Sequence, residues 1–536
     1  MNKESFFDRS SHLEILQKRV YDLKNGYRQN LAIIGDEFVG KTSIIFNFLS
    51  KFSDPHIIPI YLEARLESLN SFTRRFIGVF LYNFLLNSEI PMAEDINYLI
   101  NKSRGFIPRT TERITAILAA IEKRKKINVF SDLLGLCEII KNETGKSCVV
   151  IFDEFHNLEK IGSKRIYSEW SKLLVSQKNT MYIIISSLKY HAKNILSKEL
   201  SLLFGNFEVI NVEPFDIKTS EQYLNKKFKE LNVCAPQGIK NFLVHFTGGS
   251  PFYLEMLAEN YAKNPQKDLA LVLENLLFEP TGALNQRFSI YMKRLLDANY
   301  GQDYMSIIYL IAKGNNKIKE ICLLTHKPQK EILQRINGLL ELDCITRSGD
   351  FLCLCDRVFA FWIKFVYQRK LNSLTFDAKN QKDLFISNFK EIIEEFLRNT
   401  QRPVGERIQE LLGMFCDETI QMERKRLKLT HFREVKPLEF NRRALREGLI
   451  GRSHDALWII ALKEETLTEE DISDFAKECK KYRHKLQRKI IVTFRDVDTN
   501  ARLRAMEEKI LTWDLNHLNQ LFDLFSKPRV IAYKNE

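Results

Sequence analysis

The chain has 536 residues, 45% apolar and 28% charged, and a formal net charge of +13. Such a composition fits an ordinary globular protein with room for about three or four domains. It excludes a helical membrane protein, because apolar runs such as Ala456–Leu462 fall far short of a bilayer span. Nine scattered cysteines with no C-x-x-C pair suggest neither a zinc site nor a disulfide framework. The residues from Met1 to Arg9 lack the apolar core of a signal peptide, so a cytoplasmic location is expected. The positive charge favours an acidic partner, nucleic acid first, although lysine-rich solvated helix faces alone would also produce it.

In chain order, a first helix runs from Ser10 or Ser11, either of which could form a capping box with Glu14, to about Asn25. Arg9 precedes it, placed either to cover a nucleotide base or to sit in a solvated arm. Leu31–Ile34 is an apolar strand, followed by Gly35-Asp36-Glu37-Phe38-Val39-Gly40-Lys41-Thr42 and then, from Ser43, apolar residues of helical period. Strand, G-x-x-x-x-G-K-T and helix in that order make a phosphate-binding loop. The glycines let loop N–H groups converge on phosphate oxygens, and the new helix adds its positive end. Lys41 then serves the β- and γ-phosphates, and the Thr42 hydroxyl a Mg²⁺ ion. The ligand is ATP or GTP.

His56–Leu62 is a second strand, with helical sequence through Ile140 that includes the charge run Glu122–Lys126. Ser147–Asp153 is an apolar strand delivering Asp153 and Glu154 at its C-terminal edge, where ligands of parallel sheets bind. Asp153 suits the metal, and Glu154 suits the orientation and deprotonation of water. His156 reads as a polar turn residue. Thr180–Ser187 is another apolar strand; Ser187 at its tip either senses the γ-phosphate or serves as turn chemistry. Phe207–Val212 is a fifth strand. From Asp216 the pattern is helical, and Thr247-Gly-Gly-Ser-Pro251-Phe-Tyr-Leu254 is a tight turn that leads into a helix. That turn either approaches a nucleotide or is an ordinary helix corner.

Arg9, the P-loop, Val149–Glu154, Ser186-Ser187 and the 247–254 box, in this order, resemble the archaeal-type ATPases of the STAND group, relatives of the AAA+ replication initiators. The resemblance covers residues 1–370. It implies an α/β fold with a P-loop ATPase core on a parallel sheet of the additional-strand type (1–215), a helical lid (216–290) and a winged helix (291–370). It further implies ATP with Mg²⁺. Nucleotide contacts are then expected from Arg9, Gly35 to Ser43 and Pro251, metal contacts from Thr42 and Asp153, and catalysis from Lys41, Glu154 and Ser187. Relatives often have Gly-Arg where this chain has Leu203-Phe-Gly205-Asn206, which places turnover, though not binding, in question. In the winged helix, Pro328–Leu340 would be the recognition helix, with Lys327, Lys330 and Arg335 at phosphate-contact positions, and Cys344–Leu354 the wing. In signalling ATPases of this type the winged helix instead packs on the nucleotide domain.

Residues 371–536 resemble the restriction-endonuclease-like tail that some of these ATPases carry. Gly405–Glu410 matches its opening helix, Leu457–Lys463 its central strand, Thr468–Tyr482 the next helix and Lys489–Thr493 the next strand. Active nucleases need a carboxylate two residues before the lysine to hold the metal; here Ala461 precedes Lys463. Basic clusters at 424–428, 442–443 and 480–485 suit a nucleic-acid surface or simply solvated faces. The expected function is an ATP-binding and ATP-hydrolysing switch acting on DNA or in a DNA-linked complex. The alternatives are a signalling or scaffold ATPase with a protein partner, and an ATP-regulated nuclease. A homo-oligomer supplying an arginine from a neighbouring copy stays open.

Overall fold

A computed structural model describes residues 6–531, apart from 92, 124–127, 162–165, 201–205, 373–376, 423–424, 443–444, 483–484 and 496. The expectations for Leu203–Gly205 and for parts of the 122–126, 424–428, 442–443 and 480–485 clusters lie outside the described residues. The chain divides into two compact units, one ending at Pro214 and one spanning Phe215–Glu536.

The first unit is built on strands β1 (Asn30–Ile34), β2 (Ile57–Glu63), β3 (Ser147–Asp153), β4 (Thr180–Ser186) and β5 (Phe207–Asn211). They form one parallel sheet in the order β2-β3-β4-β1-β5. β4 is thus inserted between β1 and β3, the additional-strand arrangement. β1, β3 and β4 are buried along their whole length, which is why they read as unbroken apolar runs rather than alternating ones. Helices α1 (Ser10–Lys24) and α2 (Lys41–Lys51) cover one face through Leu16, Val20, Ile44 and Phe48. Helices Leu69–Asn87, Pro108–Glu122, Val129–Thr144 and Ile166–Ser176 bury the other around Phe76, Phe80, Leu133 and Trp170. The capping box expected for α1 does not form: its cap is Arg9, left-handed at φ 69°, with no side-chain cap bond.

The second unit opens with helices, among them Ile217–Glu230, Gln237–Thr247, Pro251–Lys263 and Ala283–Leu296. Helices Gly301–Lys313, Ile318–Thr325 and Gln329–Glu341 follow, then an antiparallel hairpin of β6 (Ile345–Ser348) and β7 (Phe351–Leu354). That hairpin is held by a second one, β8 (Thr419–Met422) with β9 (Lys425–Lys428). The Asp350 N–H donates to Thr419 O at 2.8 Å, and the Thr419 N–H to Asp350 Oδ2 at 2.7 Å. The last sheet orders β10 (Glu434–Arg442), β11 (Leu445–Arg452), β12 (Leu457–Lys463), β13 (Leu486–Thr493) and β14 (Leu511–Trp513) consecutively. Its first three strands are antiparallel and its last three parallel. The crossover helix Glu469–Cys479 starts from a capping box between Thr468 and Asp471, and a 3-10 turn over Lys480–Tyr482 carries it on to the expected Tyr482.

Candidate active site

The strand register brings the chemistry to one edge. Ile34 pairs with Ser186 and Glu63 with Asp153, so the tips of β1, β2, β3 and β4 lie side by side at their C-terminal ends. The loop from Gly35 to Gly40 leaves this edge and enters α2. A Cβ on Gly35 would collide with the carbonyl oxygen of Val212, so the crossing of the chain beyond β5 demands glycine there. Gly40 caps α2 at φ 94° with no side-chain bond. The first N–H groups of α2 therefore have neither an intrahelical nor a capping acceptor, the geometry that receives an anion.

Lys41 is buried, and its Nζ donates to the carbonyl oxygens of Gly35 at 3.0 Å and Asp36 at 2.6 Å. Burial lowers its pKa, opposed by the charges of Glu154, Asp153, Asp36 and Glu37. The Thr42 hydroxyl donates to Asp153 Oδ2 at 2.7 Å, and the Tyr61 hydroxyl donates to the same oxygen at 2.8 Å. A hydroxyl and a carboxylate at this spacing form an all-oxygen donor set that fits Mg²⁺.

Glu154 sits just past β3 in the left-handed region at φ 50°. Its Oε2 accepts from Ser187 twice, from N–H at 3.0 Å and from the hydroxyl at 2.8 Å. Burial pushes its carboxyl upward, while the Ser187 bonds and the Lys41 charge pull it back. His156, expected to be a turn residue, is buried in the same network. Its Nδ1 lies 2.9 Å from Ser186 Oγ and 3.3 Å from Glu154 Oε2. Burial, with the charges of His191, Lys160 and Lys41, lowers it to about 4, so it is neutral near pH 7. Sequence reasoning also passed over Tyr61 and Lys189, whose Nζ lies 2.7 Å from Asp36 Oδ1. Neither pair has a sequence spacing that announces it.

Arg9 is not a solvated arm. Its Nη2 donates to Val39 O at 3.3 Å and Glu213 O at 2.6 Å, tying the P-loop to the exit from β5. Phe38, left-handed at φ 63°, and Glu37 are exposed, Val39 is buried, and Ser43 lies in the first turn of α2. Pro251 is the first residue of its helix in the second unit. There the Phe215 N–H donates to Gly249 O at 2.9 Å, which anchors the Gly-Gly turn.

One DNA-contact expectation needs correction, and a second residue is already ion-paired. Arg335 is buried, not free: its Nε pairs with Asp303 Oδ2 at 3.0 Å, and its guanidinium lies 3.5 Å from the centre of the Tyr300 ring. Lys327 pairs with Asp303 at 2.7 Å and Glu331 at 3.1 Å. Both cations neutralise Asp303, Arg335 buried and Lys327 half-exposed, whereas Lys330 is exposed. In the last sheet, Ala461 and Lys463 are buried, and Lys463 Nζ pairs with Asp471 Oδ1 at 3.2 Å. Asp455 is exposed beside His454. Among the described residues no group of three or more His, Cys, Asp or Glu side chains is arranged to hold a metal, and no helix is long and apolar enough to cross a membrane.

Residues 6–257 match the family described as an ATPase domain predominantly from Archaea. A Walker-type ATPase of Pyrococcus abyssi superposes with a TM-score of 0.50 at 19% identity, over 67% of this chain and 96% of its own. The fold is that of a P-loop ATPase. The ORC2 protein of Aeropyrum pernix, in its ADPNP–ADP complexes, gives a TM-score of 0.42 at 11% identity over 72% and 97% of the two chains. The RuvB Holliday junction branch migration motor of Thermotoga maritima gives 0.32 at 9% over 66% and 95%. No curated protein matches the chain significantly.

Proposed function

We propose that the chain binds and hydrolyses ATP as a molecular switch. The observation that carries this is the convergence of Lys41, the Thr42–Asp153 pair and the Glu154–Ser187 pair at one sheet edge, within the stretch that matches an ATPase domain. In this reading Lys41 leaves the loop carbonyls and donates to β- and γ-phosphate oxygens, while the N-terminal N–H groups of α2 hold the phosphate chain. Thr42 and Asp153 would hold Mg²⁺, which would supply neutralising positive charge to the phosphates. Glu154 orients a water for in-line attack on the γ-phosphorus and accepts its proton as the bond to the β-phosphate oxygen breaks, yielding ADP and phosphate. Its raised pKa makes it a better base than an exposed carboxylate. ATP binding by the wild type, lost by at least about 100-fold in Lys41→Ala, tests the reading; equal binding by both would end it.

We further infer that the three helices with the β6–β7 hairpin form a winged helix and that residues 371–536 form a restriction-endonuclease-like domain without nuclease activity. The order of strands β10–β14 and the crossover helix support the second assignment, and Ala461 in place of a carboxylate supports the loss of activity. DNA is the proposed partner, on the strength of the +13 charge and the exposed Lys425 and Arg426 on β9. Binding of duplex DNA that fades steeply with salt would fit this. Salt-independent capture of a protein partner would favour the scaffold alternative. Metal-dependent cleavage lost in Lys463→Ala would overturn the inactive-nuclease assignment.

A further inference from the structure

The phosphate-binding loop carries negative charge of its own. Asp36 and Glu37 directly follow Gly35, and both act electrostatically on the Lys41 ammonium. A polyphosphate drawn to Lys41 therefore approaches two carboxylates as well as the N–H groups of α2. Like charges oppose binding most strongly in a partly buried site, where solvent screens them less.

The Asp36 carboxylate is compensated by a lysine. Lys189 Nζ lies 2.7 Å from Asp36 Oδ1 and 2.8 Å from Asp36 Oδ2, so the ammonium spans both oxygens. The pair is only partly exposed, at 25% for the lysine side chain and 30% for the aspartate. Lys189 opens the short helix Lys189–Asn194, just after the Ser187 that bonds Glu154. The Asp36 carboxylate of the loop is thus tied to the segment that leaves β4.

We propose that Lys189 is a positioning residue that neutralises Asp36 and so renders the P-loop receptive to a polyphosphate. It acts through Asp36 and does not itself contact the ligand. The inference rests on reading residues 35–42 as a nucleotide loop, and it adds a requirement that the G-x-x-x-x-G-K-T pattern does not contain. It also couples the loop to the Ser187 segment, so that displacement of either alters the charge presented to the phosphates.

The test is a double-mutant cycle on ATP affinity at low salt, using the full chain as wild type, Lys189→Ala, Asp36→Asn and the double variant, with apo melting temperatures as folding controls. Lys189→Ala should weaken ATP binding by about 10- to 100-fold, with a smaller loss for AMP, and the loss should shrink as salt is raised. Adding Asp36→Asn should restore affinity to within about threefold of the wild type. Asp36→Asn alone should bind ATP at least as tightly as the wild type, which keeps the proposal testable if Lys189→Ala does not fold. A double variant as weak as Lys189→Ala would overturn it by showing direct contact between Lys189 and phosphate. Weaker binding by Asp36→Asn alone would also overturn it. Absence of ATP binding by the wild type would instead sink the nucleotide reading beneath it.

Discussion

The Ser187 hydroxyl and the Ser187 N–H both donate to the same oxygen of Glu154, at 2.8 and 3.0 Å. These bonds favour the ionised carboxylate against the burial that raises its pKa. Removing the hydroxyl in Ser187→Ala should raise the Glu154 pKa further. The acid limb of the kcat–pH profile should then move to higher pH, and Ser187→Thr should largely restore it. An unmoved limb would leave Ser187 as strand-end turn chemistry.

Thr42 and Tyr61 share Asp153 Oδ2, and Thr42 lies in the first turn of α2, directly after the phosphate-binding loop. Thr42→Ala should raise the Mg²⁺ concentration needed for half-maximal turnover by about tenfold or more while changing stability by about 1 kcal/mol. Tyr61→Phe should shift the Mg²⁺ requirement only a few-fold. A Mg²⁺ titration of both variants checks the ordering.

His156 gives the site a signature in stability. Its folded pKa of about 4 lies below the ordinary value of 6.5, so between these pH values the unfolded chain binds more protons than the folded one. Stability therefore rises with pH across that window and is lost as pH falls from 6.5 towards 4, by at most about 3 kcal/mol. Glu154, with its raised carboxyl, contributes in the opposite sense. The drop in melting temperature between pH 7 and pH 5 should be smaller in His156→Asn than in the wild type.

In the second unit, Asp523 is clasped by Arg357 at 2.5 Å and Arg529 at 2.6 Å, and these guanidinium groups hold its carboxyl well below the usual range. Asp523→Ala would leave two guanidinium groups facing each other beside the half-buried His245. It should destabilise the protein by about 3 kcal/mol in chemical denaturation. Arg335→Ala should also lower the melting temperature, because Arg335 pairs with Asp303, yet leave DNA affinity unchanged.

The G-K-T loop, the Asp153–Glu154 strand tip and the apolar strands β1, β3 and β4 were legible because they are local: apolar runs, a turn and its flanks; the insertion of β4 between β1 and β3 was only what the resemblance implied. The pairs that complete the site are not local. Tyr61 meets Asp153 across neighbouring strands, and Lys189 meets Asp36 only because β4 is inserted beside β1. His156 reads as a polar turn residue until β4 places Ser186 against it. Arg335 shows the opposite failure. Its position on an amphipathic helix suggested a free cation, and only the packing of Gly301–Lys313 against that helix brings Asp303 to it.

The most direct test is ATP hydrolysis by the wild type and Glu154→Gln, measured alongside ATP affinity and with and without duplex DNA. The account predicts Mg²⁺-dependent turnover by the wild type, reduced by at least about 100-fold in Glu154→Gln with ATP affinity preserved, and stimulated by DNA. Undiminished turnover in Glu154→Gln, or a wild type that binds no ATP, would contradict it.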